Sequence, residues 1–302
     1  MEENKKRTLS YSKLSLFNKC PYAYYWKYVV KDQSPETTWP GGLFGTTVHA
    51  MLEVYIGMLN TGASHTEAEA ALKNRFSEFF SKERNLITKP KIFKESREFR
   101  SDKAAFFESG DKAVIAVIRF FDKYFNGHYR QIESEAEYKA SWDDTTDTTG
   151  IIDIRLTMPD DSIEIIDMKV TGDGANFWWT DWQSDPQSNM YDFLTFKSLG
   201  IIPSKFAYLV YDRNINVLFM KQRPIPVNTP ETLKNGELAK MIASTSAFHD
   251  STISNPELAE SLARPSELQC KWCSFSKLCS KKWESGLAKS GKAAMKNRRI
   301  SV

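Results

Sequence analysis

The segment GIIDIRLTMPDDSIEIIDMKVTGD, residues 150–173, sets carboxylates and an amine into apolar surroundings. Asp153 interrupts one apolar run, and Asp167 with Lys169 ends the next, after IEII. On a strand, residues two apart share a face, so Asp167 and Lys169 point the same way. The PDDS turn between the runs predicts a hairpin that brings Asp153 close to Asp167. Two carboxylates in a partly buried place repel, and keeping both ionised is costly without compensation. Mg2+ or Mn2+, held by carboxylates, a backbone carbonyl and waters, meets that need. Lys169 would then orient an attacking water and stabilise charge on a phosphate as it is cleaved. A lone Asp-x-Lys reads first as an exposed ion pair; Asp153 on the partnered strand puts the metal site level with that reading.

Two helical pairs extend the set. GTTVHAMLE places His49 and Glu53 four residues apart, on one helix face. An imidazole added to two carboxylates suits Mn2+ alongside Mg2+. DPQSNMYDF spaces Gln187 and Tyr191 one turn apart, just after the lysine's strand, where amide and phenol could bond phosphate or hold the lysine and water. Each pair has an ordinary structural reading as well. The chain's four cysteines are unevenly spread: Cys20 stands alone, while CKWCSFSKLC carries Cys270, Cys273 and Cys279. In a reducing compartment such clustering points to metal rather than to disulfides. Structural zinc usually sits between two close pairs, and three clustered thiolates with a remote fourth suit an iron–sulfur cubane, though four thiolates also bind zinc well.

The elements that must position these residues follow from pattern. A short helix starts near Ser10 or Ser12, and Pro21 opens a second helical turn. GGLFGTTVHAMLEVYIGML predicts a longer helix with Phe44, Val48, Met51, Leu52, Tyr55 and Ile56 near one face. Helices around residues 66–82 and 102–126 follow. Strands are predicted at 132–141, 150–157 and 162–170 as a meander, then a helix at 186–199 and strands at 205–211 and 216–221 joined by DRNI. Helices first, a meander, a helix and further strands give an α/β domain with a mixed sheet. No glycine-rich phosphate loop is present.

Taken in order, these motifs resemble the PD-(D/E)xK nuclease superfamily and, within it, the RecB-like group. GTTVH with Glu53 is similar to the family's G-x-x-x-H helix, Gly150–Asp153 to its G-x-x-D strand, Asp167-Met168-Lys169 to its D-x-K strand, and Gln187 with Tyr191 to its Q-x-x-x-Y helix. SYSKLSLFNKCPYAY resembles its amino-terminal motif, with Ser10 and Ser12 in the serine positions. The resemblance implies a restriction-endonuclease-like α/β core with a central mixed sheet flanked by helices. It implies divalent metal on His49, Asp153, Asp167 and the Met168 carbonyl, and catalysis by Lys169. Asp167 stands where the family often has Glu, so the metal must sit nearer the strand. Glu53 and Glu135 are candidates for a second metal. A subset including the AddB-type nuclease module and CRISPR-associated adaptation nucleases carries one Cys upstream and C-x-x-C-x5-C downstream for a 4Fe–4S cluster. By that resemblance Cys20, Cys270, Cys273 and Cys279 hold such a cluster, with zinc as the alternative. Residues 1–30 and 260–284 would form a clasp around a nuclease core at 31–259, which contains a helical insertion at about 60–128.

Composition fits this reading. With 41% hydrophobic and 26% charged residues among 302, the chain is globular rather than disordered. MEENKKRTLS lacks the apolar run of a secretory signal, and AVIAVIRFF, broken by Arg119, is the most apolar stretch, so a cytoplasmic protein with no membrane partner is expected. Net charge is only +3, but residues 285–302 form a basic tail suited to nucleic acid. Phe177, Trp178, Trp179 and Trp182 in GDGANFWWTDWQSD could stack on unpaired bases. The expectation is a metal-dependent DNA exonuclease, 5′-to-3′ on single strands or duplex ends, in repair, recombination or viral or CRISPR-related DNA processing. Any helicase or recombination protein would be a separate partner. A structure-specific endonuclease and a non-cleaving DNA-binding scaffold are the alternatives.

Overall fold

Strand β5 (Thr146–Thr157) is the spine of a six-stranded mixed sheet, and the way its two edges are covered organises the molecule. The computed structural model describes residues 6–32, 37–38, 40–86, 92–93, 97–172, 185–223, 228–264, 270, 273–275 and 279. The tryptophans at 178, 179 and 182, Phe177 and the tail at 285–302 lie outside these.

The amino-terminal part holds β1 (Arg7–Ser10), α1 (Tyr11–Lys19), α2 (Pro21–Tyr24) and a π-helical turn at Tyr25–Val29. The helical block follows: α3 (Pro40–Asn60), α4 (His65–Leu72), α5 (Phe76–Leu86), α6 (Arg97–Ser101) and α7 (Lys103–Phe125). Within it β2 (Thr37–Thr38) and β3 (Ile92–Phe93) make a separate parallel pair. Then come β4 (Gln131–Ser141), β5, β6 (Ile163–Thr171), α8 (Pro186–Leu199), β7 (Lys205–Asp212) and β8 (Val217–Gln222). Helices α9 (Pro230–Asn235), α10 (Glu237–Ile253) and α11 (Pro256–Ser261) complete the described elements.

The meander β4–β5–β6 and the hairpin β7–β8 form as the sequence predicts, and β6 pairs parallel with β7 across the connection carrying α8. Two features differ from expectation. The helix expected at 66–82 is two helices, because Asn74 adopts a left-handed φ of 61°, which asparagine tolerates better than most residues. RTLS, too short and mixed to read as a strand, becomes β1 by pairing parallel with Thr146–Thr149 of β5.

The sheet separates two cores. On one side α3, α4, α5 and α7 bury Val48, Tyr55, Phe76 and Phe121 against Ile154, Ile166 and Leu209. On the other, α1, α8, α9 and α10 bury Leu14, Leu194, Leu233 and Ile242 against Ile152, Ile165 and Val210. By length and composition α3 could cross a bilayer, which the sequence reading did not anticipate, but Leu43, Phe44, Val48, Met51, Tyr55 and Ile56 on it are buried in the first core. A third cluster joins Tyr22, Tyr24 and Tyr25 to Phe248 and Ala259, with Cys20 and Cys279 packed on it. This is an α/β protein with a restriction-endonuclease-like core, a central mixed sheet flanked by helices.

Helix α8 is fastened by an ion pair that water barely reaches. Asp192 accepts from both Arg223 amines at 2.6 and 3.0 Å and from Asn228 at 2.7 Å. Neither side chain of the pair is more than 5% exposed, so removing one partner strands the other's charge. Asp192→Ala should cost about 3–5 kcal/mol in urea denaturation. Replacing Asp192 and Arg223 together by leucine and methionine should recover most of that loss.

Candidate active site and metal centre

One edge of β5 is occupied by β4, from Gln131 opposite Thr157 to Ser141 opposite Asp147, with Glu135 and Asp153 dropping out of the register between Ser134–Ile154 and Ala136–Ile152. The other edge is shared: β6 covers Ile154–Thr157 and β1 covers Thr146–Thr149. Among the described residues no strand pairs with 150–153 on that edge, so the G-x-x-D segment lies in a notch where the sheet splits. Side chains take over the work of a ladder there. Tyr191 Oη donates to the Ile151 carbonyl at 2.7 Å, and the Met168 N–H donates to Asp153 Oδ2 at 2.7 Å. Gly150 is needed because α8 lies directly on it: a Cβ would come within 2.8 Å of Leu194 Cδ1 and 3.2 Å of Tyr191 Cε1.

The notch is also a crease. Residues two apart on a strand normally share a face, yet Ile152 packs in the second core while Ile154 and Leu156 pack in the first. Strand β4 makes the same exchange, with Ile132 in the first core and Tyr138 and Ala140 in the second. Between them Glu135, at the level where β4 and β5 skip a pair, has a left-handed φ of 49°. A glutamate rarely adopts that conformation, and such strain concentrates at functional sites.

The expected ligands converge on this crease. His49, on α3, has Nε2 3.1 Å from the Met168 carbonyl and Nδ1 3.4 Å from Glu135 Oε1 and 3.7 Å from Asp153 Oδ1. Ligand atoms of His49, Glu135 and Asp153 all lie within 4.8 Å of one another, a donor set that fits Mg2+ or Mn2+. Glu53, one turn further along α3, is exposed and outside this group. Asp167 is 1% exposed and has both oxygens engaged: Gln187 Nε2 donates to Oδ1 at 2.7 Å, and Lys169 Nζ meets Oδ2 at 2.6 Å. Gln187 Nε2 also reaches Tyr191 Oη at 3.2 Å.

Electrostatics describe a site short of positive charge. Burial, then repulsion from Asp167, pushes the Asp153 carboxyl up to about 7 despite His49 and Lys169. Asp167 is raised as well, by burial first, against the pull of Lys169 and His49. Burial works against a charged His49 and Lys169, but the surrounding carboxylates outweigh it and raise both. A divalent cation would reverse the balance for the acids.

Two residues that sequence reasoning passed over support the site. Asp185 caps α8 by accepting from the Gln187 and Ser188 amides and also accepts from Tyr208 Oη at 2.9 Å, so it fixes the helix that presents Gln187 and Tyr191. Its signal was legible, an Asp before a Pro that opens a helix. The Tyr208 ring lies 5.9 Å from Lys169 Nζ. Tyr11, at the start of α1, is close enough for its phenol to feel Asp185, Lys169 and Asp167, with burial the larger reason that it is raised. No spacing in the sequence announces Tyr11.

The cysteines gather at a second place in the fold. All four are partly buried. Burial and the charges of Cys273, Cys20 and Cys270 push the Cys279 thiol up to about 12; burial, Cys20 and Cys270 raise Cys273. Cys20 therefore shares one neighbourhood with the three downstream thiols. Four partly buried thiols in one neighbourhood are a donor set suited to a cationic metal centre.

An acidic pair and a lysine at the split of a mixed sheet define a protein built for divalent-metal chemistry on a restriction-endonuclease-like core. The sequence profile of the PD-(D/E)XK nuclease superfamily matches residues 8–280, and the chain belongs to that superfamily of metal-dependent nucleases. No curated protein sequence matches it. Among solved structures, the crystal structure of SSO0001 aligns over 90% of this chain and 93% of its own at 11% identity and a TM-score of 0.35, a likeness too slight to argue from.

The metal-free protein should be a measure of the acid pair. Asp153 holds its proton more tightly folded than unfolded, so its contribution to stability declines as pH rises from about 4 to about 7 and stays lost above. Asp153→Asn should flatten that decline in pH-dependent thermal melts and abolish the rise in Tm that Mn2+ gives the parent chain. Gly150→Val should lower Tm and separate Gln187 and Tyr191 from the crease, at a cost of about 1–3 kcal/mol.

Proposed function

We propose that the chain is a DNA exonuclease of the RecB-like group, with a 4Fe–4S cluster tying its ends together. The observation that carries the reading is the buried Asp167–Lys169 pair at 2.6 Å beside Asp153 in the split of the sheet. In this reading His49, Asp153, Asp167 and the Met168 carbonyl hold the divalent metal, with Glu135 as a further ligand. When bound, that metal supplies Lewis-acid activation of the phosphodiester and of water. Lys169 keeps its ammonium charged against burial, because Asp167 and Asp153 favour that form, and offers it to the phosphate as charge builds there. Gln187 holds the Asp167 carboxylate in one orientation and also donates to Tyr191 Oη, while Tyr191 ties α8 to β5 through the Ile151 carbonyl. Asp185 fixes the first turn of the same helix. Hydrolysis in this superfamily leaves a 5′ phosphate.

Exonuclease action, the 5′-to-3′ direction and the choice of single strands or duplex ends rest on the resemblance to the cluster-bearing relatives. The shared neighbourhood of Cys20, Cys270, Cys273 and Cys279 supports that kinship. The cluster would clasp residues 1–30 and 260–284 around the core.

Lys169→Ala should lower kcat about 10²–10³-fold on linear DNA, and Asp167→Asn should remove Mn2+-dependent cleavage altogether. Covalently closed circles should persist while 5′-labelled linear strands shorten from the labelled end. Digestion of the circles would replace the exonuclease by an endonuclease, and a parent chain that cuts nothing while Asp167→Asn binds DNA as well as the parent does would leave only a DNA-binding scaffold. Protein purified without oxygen should carry about four irons and broad visible absorption, both lost in Cys20→Ser together with a lowered Tm. One zinc and no colour would remove the cluster.

A further inference from the structure

Helix α3 lies along β6 in step with it, and a stripe of the helix that ends on His49 carries the match. Gly41, Gly45 and His49 are four residues apart, so they share one face of α3. Gly172, Val170 and Met168, two apart along β6 and its exit, stand opposite them in reverse order. His49 Nε2 is 3.1 Å from the Met168 carbonyl. A Cβ on Gly45 would stand 3.9 Å from Val170 Cβ. At the outer end, a Cβ on Gly41 would meet Arg213 Nη2 at 3.5 Å, and one on Gly172 would meet Arg213 Nε at 3.6 Å. Four helical residues rise about 6 Å and two strand residues about 6.6 Å, so the two elements keep pace over this length.

Arg213 fills the outer end of the match. Its guanidinium group reaches Gly41 on one side and Gly172 on the other, and glycine at both positions leaves that level of the gap to the arginine. The residue belongs to the turn between β7 and β8, and that turn is fastened to β6. The Arg213 N–H donates to the Thr171 carbonyl at 2.9 Å, and the Asn214 side-chain amide donates to the Gly172 carbonyl. The Asn214 N–H donates to Asp212 Oδ1 at 2.9 Å. Asn216, with a left-handed φ of 53°, accepts from Tyr211 Oη at 3.0 Å and from Ser109 Oγ, on α7, at 3.1 Å. The arginine is thus carried by the strand side and bears on the helix side.

We propose that Arg213 is a positioning residue for His49: it sets the outer end of α3 against β6 and so holds the imidazole, two turns further on, at the Met168 carbonyl and beside Asp153. This deepens the nuclease reading and rests on it for the metal that His49 would hold. Residues that orient a metal ligand typically contribute about tenfold to a hundredfold in metal affinity. Arg213 is partly buried and belongs to neither of the two main cores, so its loss opens the gap without emptying either.

The test begins with the metal-free full chain. Its four histidines, His49, His65, His128 and His249, each give a ring Cε1–H signal in carbon–proton correlation spectra, and His49→Gln identifies the one concerned. Arg213→Ala should shift or broaden the His49 signal and leave the other three in place. Arg213→Lys, which keeps a long cationic side chain in the gap, should restore it. Calorimetric titration with Mn2+ should show affinity about tenfold weaker in Arg213→Ala. In a His49→Ala background the same substitution should cost nothing further, because two residues acting through one ligand are not additive. An unmoved His49 signal would overturn the assignment, as would movement of all four signals together, which marks a general loosening of the fold. Equal losses of Mn2+ affinity with and without His49 would overturn it too. Failure of the nuclease reading looks different. A parent chain that takes up no Mn2+, or takes it up and cuts no DNA, loses that reading, while the His49 signal still decides the role of Arg213.

Discussion

Two carboxylates and an ammonium group, held within a few ångströms of one another and largely out of water, are the constraint from which the rest of this structure follows. Asp153 and Asp167 repel, Lys169 and His49 offset part of that repulsion, and burial works against all four charges. Such a group survives only if its lone pairs and protons are met by fixed partners. Gln187, Tyr191 and the Met168 amide are those partners. They come from α8 and β6, which is why the helix must lie hard on Gly150 and why its far side is fastened by Asp192 and Arg223.

The sheet gives up regularity to make room. With β1 and β6 sharing one edge of β5, the segment between them is left without ladder bonds, and both β4 and β5 exchange faces at that level. Glu135 carries the strained backbone of the exchange and turns its carboxylate towards His49. An unbroken sheet would keep Asp153 in a continuous ladder with its neighbours; the crease exposes it to α3 and β6 together.

Much of this could be read from the sequence. Asp153, Asp167 and Lys169 stood out because charge inside apolar strand patterns is rare and the turn between them is explicit. His49 with Gln187 and Tyr191 could be placed from helical spacing, and the long elements were legible from periodicity. What stayed hidden depends on tertiary contact. Strand β1 is four residues that become a strand only because β5 offers an edge. The left-handed Glu135 has no local signature, since glutamate has no preference for that conformation. Tyr11, on α1, meets the charges of Asp185, Lys169 and Asp167 from far along the chain, which no window of sequence brings together. The split of one expected helix at Asn74 was readable in principle and lies in a polar stretch where periodicity is weak.

Helix α1 has nine residues, and within or next to it lie Tyr11, Lys13, the buried Leu14 and Cys20. Its flanking strand is docked by Thr146–Thr149, and Cys20 by thiols near the far end of the chain. During synthesis this segment emerges early, yet its partners emerge late, and contacts of such sequence separation form slowly. The two sides of the notch, β1 and β6, can flank β5 only once the chain as far as Thr171 has been made.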